Sequence, residues 1–262
     1  MIETFTIITL SISILSALFY LTGLIVDKDT AIDWGVRTTS VALVFHLITT
    51  FYIILELGIG GLFHMPYGMI SVSLLLNIGY LLLIQLYPVR PLGSLVVPLT
   101  VLILSVFLMA DSTIQFEDKA LSSLLVVHVG MAFLGTVAFS FAALSALLYI
   151  LLAYRLKQKR LSGLSRSLPS LDVLDKVSWR CISIGFPVYT LAILLGVFWA
   201  TKDDDISGFI STNYLLATVS WLFYGAVLQA RLTIGWRGTR AAWVTLVGFF
   251  MAVGVVISYM VD

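Results

Sequence analysis

Long uncharged apolar runs alternate along the chain with short polar connections. Eight of these runs reach about 18 residues or more: roughly 4 to 26, 37 to 55, 68 to 87, 92 to 110, 121 to 153, 181 to 200, 210 to 230 and 238 to 260. Lipid offers backbone N–H and C=O groups no partner, so a run that crosses it must be a helix or a strand of a closed barrel. The runs are continuously apolar rather than alternating every second residue, which selects the helix. The pattern predicts an all-α fold, a polytopic membrane helix bundle of about eight transmembrane helices forming a single integral membrane domain over residues 1–262. The first run lacks a basic segment before it and an Ala-x-Ala cleavage site, so it reads as a retained span.

Composition narrows the function classes. Only 11% of the 262 residues are charged and 60% are hydrophobic, against about 25% charged in an average protein, which excludes a water-soluble domain. A net charge of +1 without a clustered cationic face gives no footprint for nucleic acid. One cysteine, Cys181, excludes an intramolecular disulfide and a CxxC motif. The phosphate-cradling and HExxH motifs are absent, so nucleotide hydrolysis and zinc proteolysis have no support. No Asp, Glu, Lys or Arg falls at mid-depth, and Arg37, Glu56 and Arg231 lie near span ends, where they are expected to snorkel. That distribution speaks against an ion pump, and the missing internal repeat against a secondary transporter.

Taking the connections alternately, 13 of the 15 Lys and Arg collect on one side, leaving Lys119 and Lys202 on the other. The positive-inside rule makes the basic side cytoplasmic and puts both termini outside, as in a multi-pass protein of the bacterial plasma (inner) membrane. The longest cytoplasmic connection, 155–180, opens with Arg155, Lys157, Lys159 and Arg160. It continues with Leu168, Leu171, Leu174 and Trp179 near helical spacing and Asp172, Asp175 and Lys176 between them, the pattern of an interfacial helix that Ser167 would cap. Two readings of this segment stand: a solvated charge run with a linker helix, or a partner-docking surface. The fifth span carries Gly130, Ala132, Gly135, Ala138, Ser140, Ala142, Ala143, Ser145 and Ala146. Small residues let backbones approach closely, so this helix is expected at the centre, either as a packing element or beside a cavity for a large flat ligand.

Three histidines, His46, His64 and His128, are the conventional haem or transition-metal ligands of the chain apart from Cys181 and the methionines. His46 falls near mid-depth in the second span, His64 in the outer connection before the third, and His128 about two turns into the fifth from its outer end. A lone histidine in a membrane is more often a neutral, hydrogen-bonded packing residue, and Ser40, Thr49 and Thr50 are candidate partners for His46. Tyr67, Trp199, Phe209 and Tyr214 are outer-side aromatics that suit either porphyrin stacking or an interfacial belt.

The C-terminal half carries a more particular signature. His128-Val129 is followed by the small-rich helix, the basic run, Leu168-Pro169-Ser170-Leu171-Asp172, Gly185-Phe186-Pro187-Val188-Tyr189, Gly196-Val197-Phe198-Trp199-Ala200, Trp221-Leu222-Phe223-Tyr224-Gly225 and Gly235-Trp236-Arg237-Gly238-Thr239-Arg240. Over about 121–255 this order resembles the cytochrome c assembly family of haem-handling membrane proteins (CcsA, CcmC and HemX-like). In its haem-exporting members, the loop after the Gly-x-x-Trp-Ala helix carries a tryptophan-rich motif that holds haem. Here Thr201 to Ile210 contains no tryptophan, and Gln229 stands where such members can carry an intramembrane histidine. The frame is therefore more similar to the HemX and YpjD branch. The resemblance implies a haem-binding or haem-handling protein that supports cytochrome c assembly or haem supply and catalyses no reaction itself. It implies His128 as an axial ligand of haem iron, His46 as a second ligand or a deeper site, and Trp199 over one porphyrin face, with His64 and Phe209 behind these. The implied partners are the lipid bilayer, haem and another cytochrome c assembly or haem-synthesis protein. The alternative is a membrane regulator or scaffold without haem, a HemX-like control of haem synthesis, that docks a partner through 155–180. A small-molecule transporter ranks last, given the midplane without ionisable groups.

Overall fold

The computed structural model of the protein describes residues 1–26, 28–110, 123–159, 168–202 and 212–261. Among them there are eight α-helices and no strand: α1 (Ile2–Val26), α2 (Asp29–Leu57), α3 (Tyr67–Leu86), α4 (Gly93–Met109), α5 (Ser123–Lys157), α6 (Leu171–Lys202), α7 (Thr212–Thr233) and α8 (Thr239–Val261). Short 3-10 segments at Ile59–Phe63 and Arg90–Leu92 lead into α3 and α4. Seven helices are long and apolar enough to cross a membrane, and α8 opens with the shorter apolar stretch Thr239–Val255. The molecule is an all-helical, multi-pass membrane bundle, as the apolar runs predict. The chain divides into two compact units, Met1–Ala120 with Tyr154–Val173, and Leu121–Ala153 with Leu174–Asp262.

The first unit contains α1 to α4. The buried positions of α1 are Ile2, Thr6, Thr9, Ser13, Ser16, Tyr20 and Gly23, and those of α2 are Ile32, Gly35, Thr39, Ala42, His46, Thr49 and Ile53. Both sets step by three and four, the spacing of a helix–helix seam. Gly23 lies against Ile32 and Gly35 against the Tyr20 ring, while the Ser16 and Thr39 hydroxyls lie 2.7 Å apart over the Gly35 carbonyl that both reach. These pairs share one antiparallel register, which sets Thr9 level with His46. The seam is small and hydroxyl-bearing because lipid gives no hydrophobic drive between helices: close approach and internal hydrogen bonds must supply the attraction. At the end of this unit that carries Arg90, the Tyr80 hydroxyl donates to the Arg90 carbonyl at 2.7 Å, and Tyr20 donates to Tyr80 at 2.7 Å. The apolar spans of this unit thus carry buried, uncharged polar groups, among them Ser16, Thr39, Tyr20 and Tyr80, that are hydrogen-bonded within the protein.

The second unit contains α5 up to Ala153, most of α6, and α7 and α8. Close approaches of Gly185 to Phe139, Gly135 to Tyr189 and Gly196 to His128 fix one antiparallel register between α5 and α6. Helix α7 pairs with α6 through Phe186 against Gly225, the Trp221 indole N–H donating to Thr190 Oγ1 at 2.8 Å, and Arg231 over the Trp179 ring at 4.8 Å. Helix α8 joins α7 by the Ser220 hydroxyl donating to the Gly248 carbonyl at 3.0 Å, and joins α5 through Ala143, Ala146, Ala242 and Leu246. Phe139 stacks on Tyr224 in the middle, with ring centroids 3.6 Å apart. Among the membrane-length helices α5 is the most buried, the central position that its small residues predict.

Two expectations change at the basic end of this unit. Residues 171–180 are not a separate surface helix: they are the first turns of α6, continuous with the span. The start is capped by Ser170, whose hydroxyl lies 3.4 Å from the Val173 N–H, whereas Arg160 and Ser167 lie outside the described residues. Arg231 does not snorkel. Its guanidinium pairs bidentately with Asp175 at 3.0 and 2.5 Å, with side chains only 10% and 17% exposed. A carboxylate in fork geometry and an indole face replace the water that a lone guanidinium would have to reach. Removing one partner strands the other charge, so Arg231→Ala or Asp175→Ala is expected to lower stability by about 3–5 kcal/mol. The double variant is expected to lose less, as thermal unfolding in detergent will show.

Candidate functional site

His128 sits near the end of α5 that lies away from Arg231, half-buried, with its ring against α6. Its Nδ1 lies 2.6 Å from the Ala192 carbonyl. A carbonyl only accepts, so Nδ1 carries the proton and the lone pair is on Nε2. This is the arrangement of a metal-binding imidazole, in which one nitrogen is oriented by a backbone acceptor and the other is the donor to the metal. Ala192 and Gly196 are one turn apart on the same face of α6. Gly196 makes room for the ring: a methyl group placed there would come within 2.6 Å of His128 Cε1 and 3.1 Å of Nδ1. Trp199, half-buried, continues that face of α6 by one more turn, so it stands beyond Gly196 on the side of the helix that faces His128.

His46 has the opposite arrangement. It is 1% exposed, and its Nε2 lies 3.1 Å from the Ile70 carbonyl and 3.0 Å from Ser73 Oγ. The carbonyl again assigns the proton, this time to Nε2, and the lone pair on Nδ1 faces the Asn77 amide at 3.5 Å. The partners come from α3, one turn apart, rather than from Ser40, Thr49 or Thr50. Thr49 and Thr50 return their hydroxyls to carbonyls of their own helix, and Ser40 does the same. His64 follows the 3-10 segment, partly buried, with its carbonyl accepting from the Gly68 N–H at 2.7 Å. His46 and His64 belong to the first unit and His128 to the second. Phe209 lies outside the described residues. Among the described residues there is no group of three or more His, Cys, Asp or Glu side chains placed to hold a metal ion.

Ser73, Asn77 and the acceptor Ala192 are the residues that sequence reasoning missed. A Ser and an Asn four residues apart inside an apolar run mark one polar face of α3, which was the available signal for the His46 partner. The Ala192 carbonyl left none, since any residue supplies one.

The fold and this site define a class: a multi-pass helical membrane protein with one imidazole whose donor nitrogen is set by helix packing. The chain belongs to the cytochrome c assembly protein family, whose model matches residues 13–261. It is 29% identical over 182 residues to the cytochrome c biogenesis protein CcsA of Guillardia theta, covering 60% of this chain and 59% of that one. It is 31% identical over 172 residues to Protein HemX of Brevibacillus brevis, covering 65% and 62%. The CcsA of a Picosynechococcus species is 37% identical over 80 residues, 30% of this chain and 24% of the relative. The matches thus span from about a quarter to about three fifths of the lengths of these relatives. No solved structure matches.

Replacing His46 by Ala would leave the buried Ser73 hydroxyl and Asn77 amide without their shared partner. The expected loss is about 1–3 kcal/mol, read as a lower unfolding midpoint, whereas an exposed-site control such as Leu47→Ala should stay near the parent.

Proposed function

We propose that this chain is a plasma-membrane haem-handling protein that holds haem iron through His128 and supports cytochrome c assembly or haem supply, without catalysing a reaction. The observation that carries this reading is the hydrogen bond from His128 Nδ1 to the Ala192 carbonyl, which makes Nε2 the donor nitrogen. Gly196 beneath the ring and Trp199 one turn further suit a flat apolar ligand that needs one imidazole and an aromatic neighbour. When bound, haem supplies an iron centre that accepts the imidazole nitrogen. The family match and the relatives named for cytochrome c biogenesis point the same way. His46 enters as a second ligand only where the Asn77 amide gives up Nδ1, so we assign it first to packing. The basic end faces the cytoplasm in this reading, with the His128 end outside.

A second reading, a regulator or scaffold that binds no haem, draws on the likeness to Protein HemX and on the exposed Lys157 and Lys159 at the end of α5. Absorption spectra of the detergent-purified protein, produced with haem supplied, separate the two. We expect a Soret band at near-stoichiometric haem that falls by about tenfold or more in His128→Ala with helicity unchanged, the loss of an axial ligand, and that persists in His46→Ala. A colourless wild-type protein of full helicity overturns the haem reading in favour of the scaffold.

A further inference from the structure

Two helix registers of the second unit meet at one residue. The α5–α6 pairs Phe139/Gly185 and Gly135/Tyr189 lead, one antiparallel step after another, to His128/Gly196. The α6–α7 pairs Trp179/Arg231, Phe186/Gly225 and Thr190/Trp221 lead in the same way to Gly196/Tyr214. Both registers converge on this point: a methyl group placed at Gly196 would come within 2.6 Å of His128 Cε1, 3.1 Å of Nδ1 and 3.2 Å of the Tyr214 hydroxyl. That hydroxyl oxygen is buried. The side chain that any other residue would carry at 196 is replaced by the tips of an imidazole and a phenol, brought together by α5 and α7.

We infer that Tyr214 is a positioning residue for His128: its hydroxyl occupies the space beside the Cε1 edge of the imidazole and fixes the orientation in which Nε2 is the donor nitrogen. This rests on the haem reading for its purpose but not for its geometry. The freedom left to the ring is rotation about its Cβ–Cγ bond, and a single hydrogen bond, Nδ1 to Ala192, opposes it. A group packed near Cε1, the carbon between the two nitrogens, resists the same rotation from another edge of the ring. Gly196 lies against the Cε1–Nδ1 side of the ring with the Tyr214 hydroxyl near the same point, so in this reading the direction of the Nε2 lone pair is set by three helices rather than by α5 alone. Sequence reading placed Tyr214 among the aromatics suited to porphyrin stacking or a belt. The register gives it a narrower task, performed by the oxygen rather than by the ring face.

The test has one arm that needs no haem. Diethyl pyrocarbonate acylates an imidazole nitrogen that carries a lone pair, and peptide mass spectrometry reads the rate at His128 in the intact, detergent-purified chain. Wild type, Tyr214→Phe and Tyr214→Ala are compared, with Leu215→Ala as control, since Leu215 is 65% exposed on another face of α7. We expect the rate at His128 to rise by about threefold or more in Tyr214→Ala and by a smaller factor in Tyr214→Phe, as for neighbours that share one packing point, with Leu215→Ala at the wild-type rate. In protein loaded with haem, we expect Tyr214→Phe to keep its haem but shift the Soret and ferrous bands, a spectroscopic change that general destabilisation would not give. Wild-type labelling rates in both Tyr214 variants, at matched helicity, overturn the inference. Should Tyr214→Ala fail to fold, Tyr214→Phe alone decides by the same criterion. A wild-type protein that takes up no haem but shows the labelling change supports the positioning role while sinking the haem reading. Haem bound at His128 with labelling unchanged does the reverse.

Discussion

Helices inside lipid are not pushed together by the hydrophobic effect, because the tails around them are as apolar as their own side chains. What remains is close packing and polar contacts that find partners within the protein, and the α1–α2, α5–α6 and α6–α7 seams are built from those two. In the first unit α1 and α2 meet on Gly23, Gly35, Ser16 and Thr39, residues small enough for backbone approach and polar enough to bond across it. In the second unit the same demand is met by Gly135, Gly185, Gly196, Gly225 and Gly248, each receiving a larger side chain from a neighbouring helix. A glycine at such a point does two things at once. It lets the helices close, and it selects which side chain of the partner helix enters the gap.

That second consequence separates the two intramembrane histidines. Both rings lie in a helix seam, and both give one N–H to a backbone carbonyl of a neighbouring helix. At His46 the carbonyl is that of Ile70 and takes Nε2, turning Nδ1 toward Asn77, and the ring is closed in on all sides. At His128 the carbonyl is that of Ala192 and takes Nδ1, leaving Nε2 as donor in a half-buried ring. The same residue type in the same solvent is thus closed in by packing in one place and keeps Nε2 as its lone-pair nitrogen in the other. The choice is made by which nitrogen the carbonyl reaches.

Much of this was legible in the sequence and some of it was not. Span number and helical class follow from apolar runs that lipid can accommodate in only one way, and the central place of α5 follows from its small residues. The resemblance that singled out His128 covers the half of the chain in which its site lies. What failed to show were the properties of pairs. Asp175 and Arg231 are 56 residues apart, so each by itself looked like an interfacial charge, and the surface helix and the snorkelling arginine were inferred from single residues. The hydroxyls of α1, read one at a time, look like breaks in an apolar run. Only their seven-residue spacing against the same spacing in α2 shows that they form the seam. Antiparallel register was the missing operation, since two known contacts on a pair of straight helices fix the rest.

The same operation shows how the two ends of the second unit are related. Slipping α7 along α6 by one residue would move it about 1.5 Å and turn its side chains by about 100°, which would take Tyr214 off Gly196. Three independent contacts oppose that slip: Trp179 with Arg231, Thr190 with Trp221, and Gly225 with Phe186. The ion pair of Arg231 with Asp175 adds to the first of these, yet the other two lie between it and Gly196 and hold the register without it. Its role is therefore stability rather than geometry, and the geometry at His128 is over-determined by the packing in between. The His128 ring is oriented by helix packing through the Ala192 carbonyl, and in this chain the connection after α6 carries no tryptophan. The hydrogen bond that orients the ring is a property of α5 packed on α6 rather than of a connecting loop.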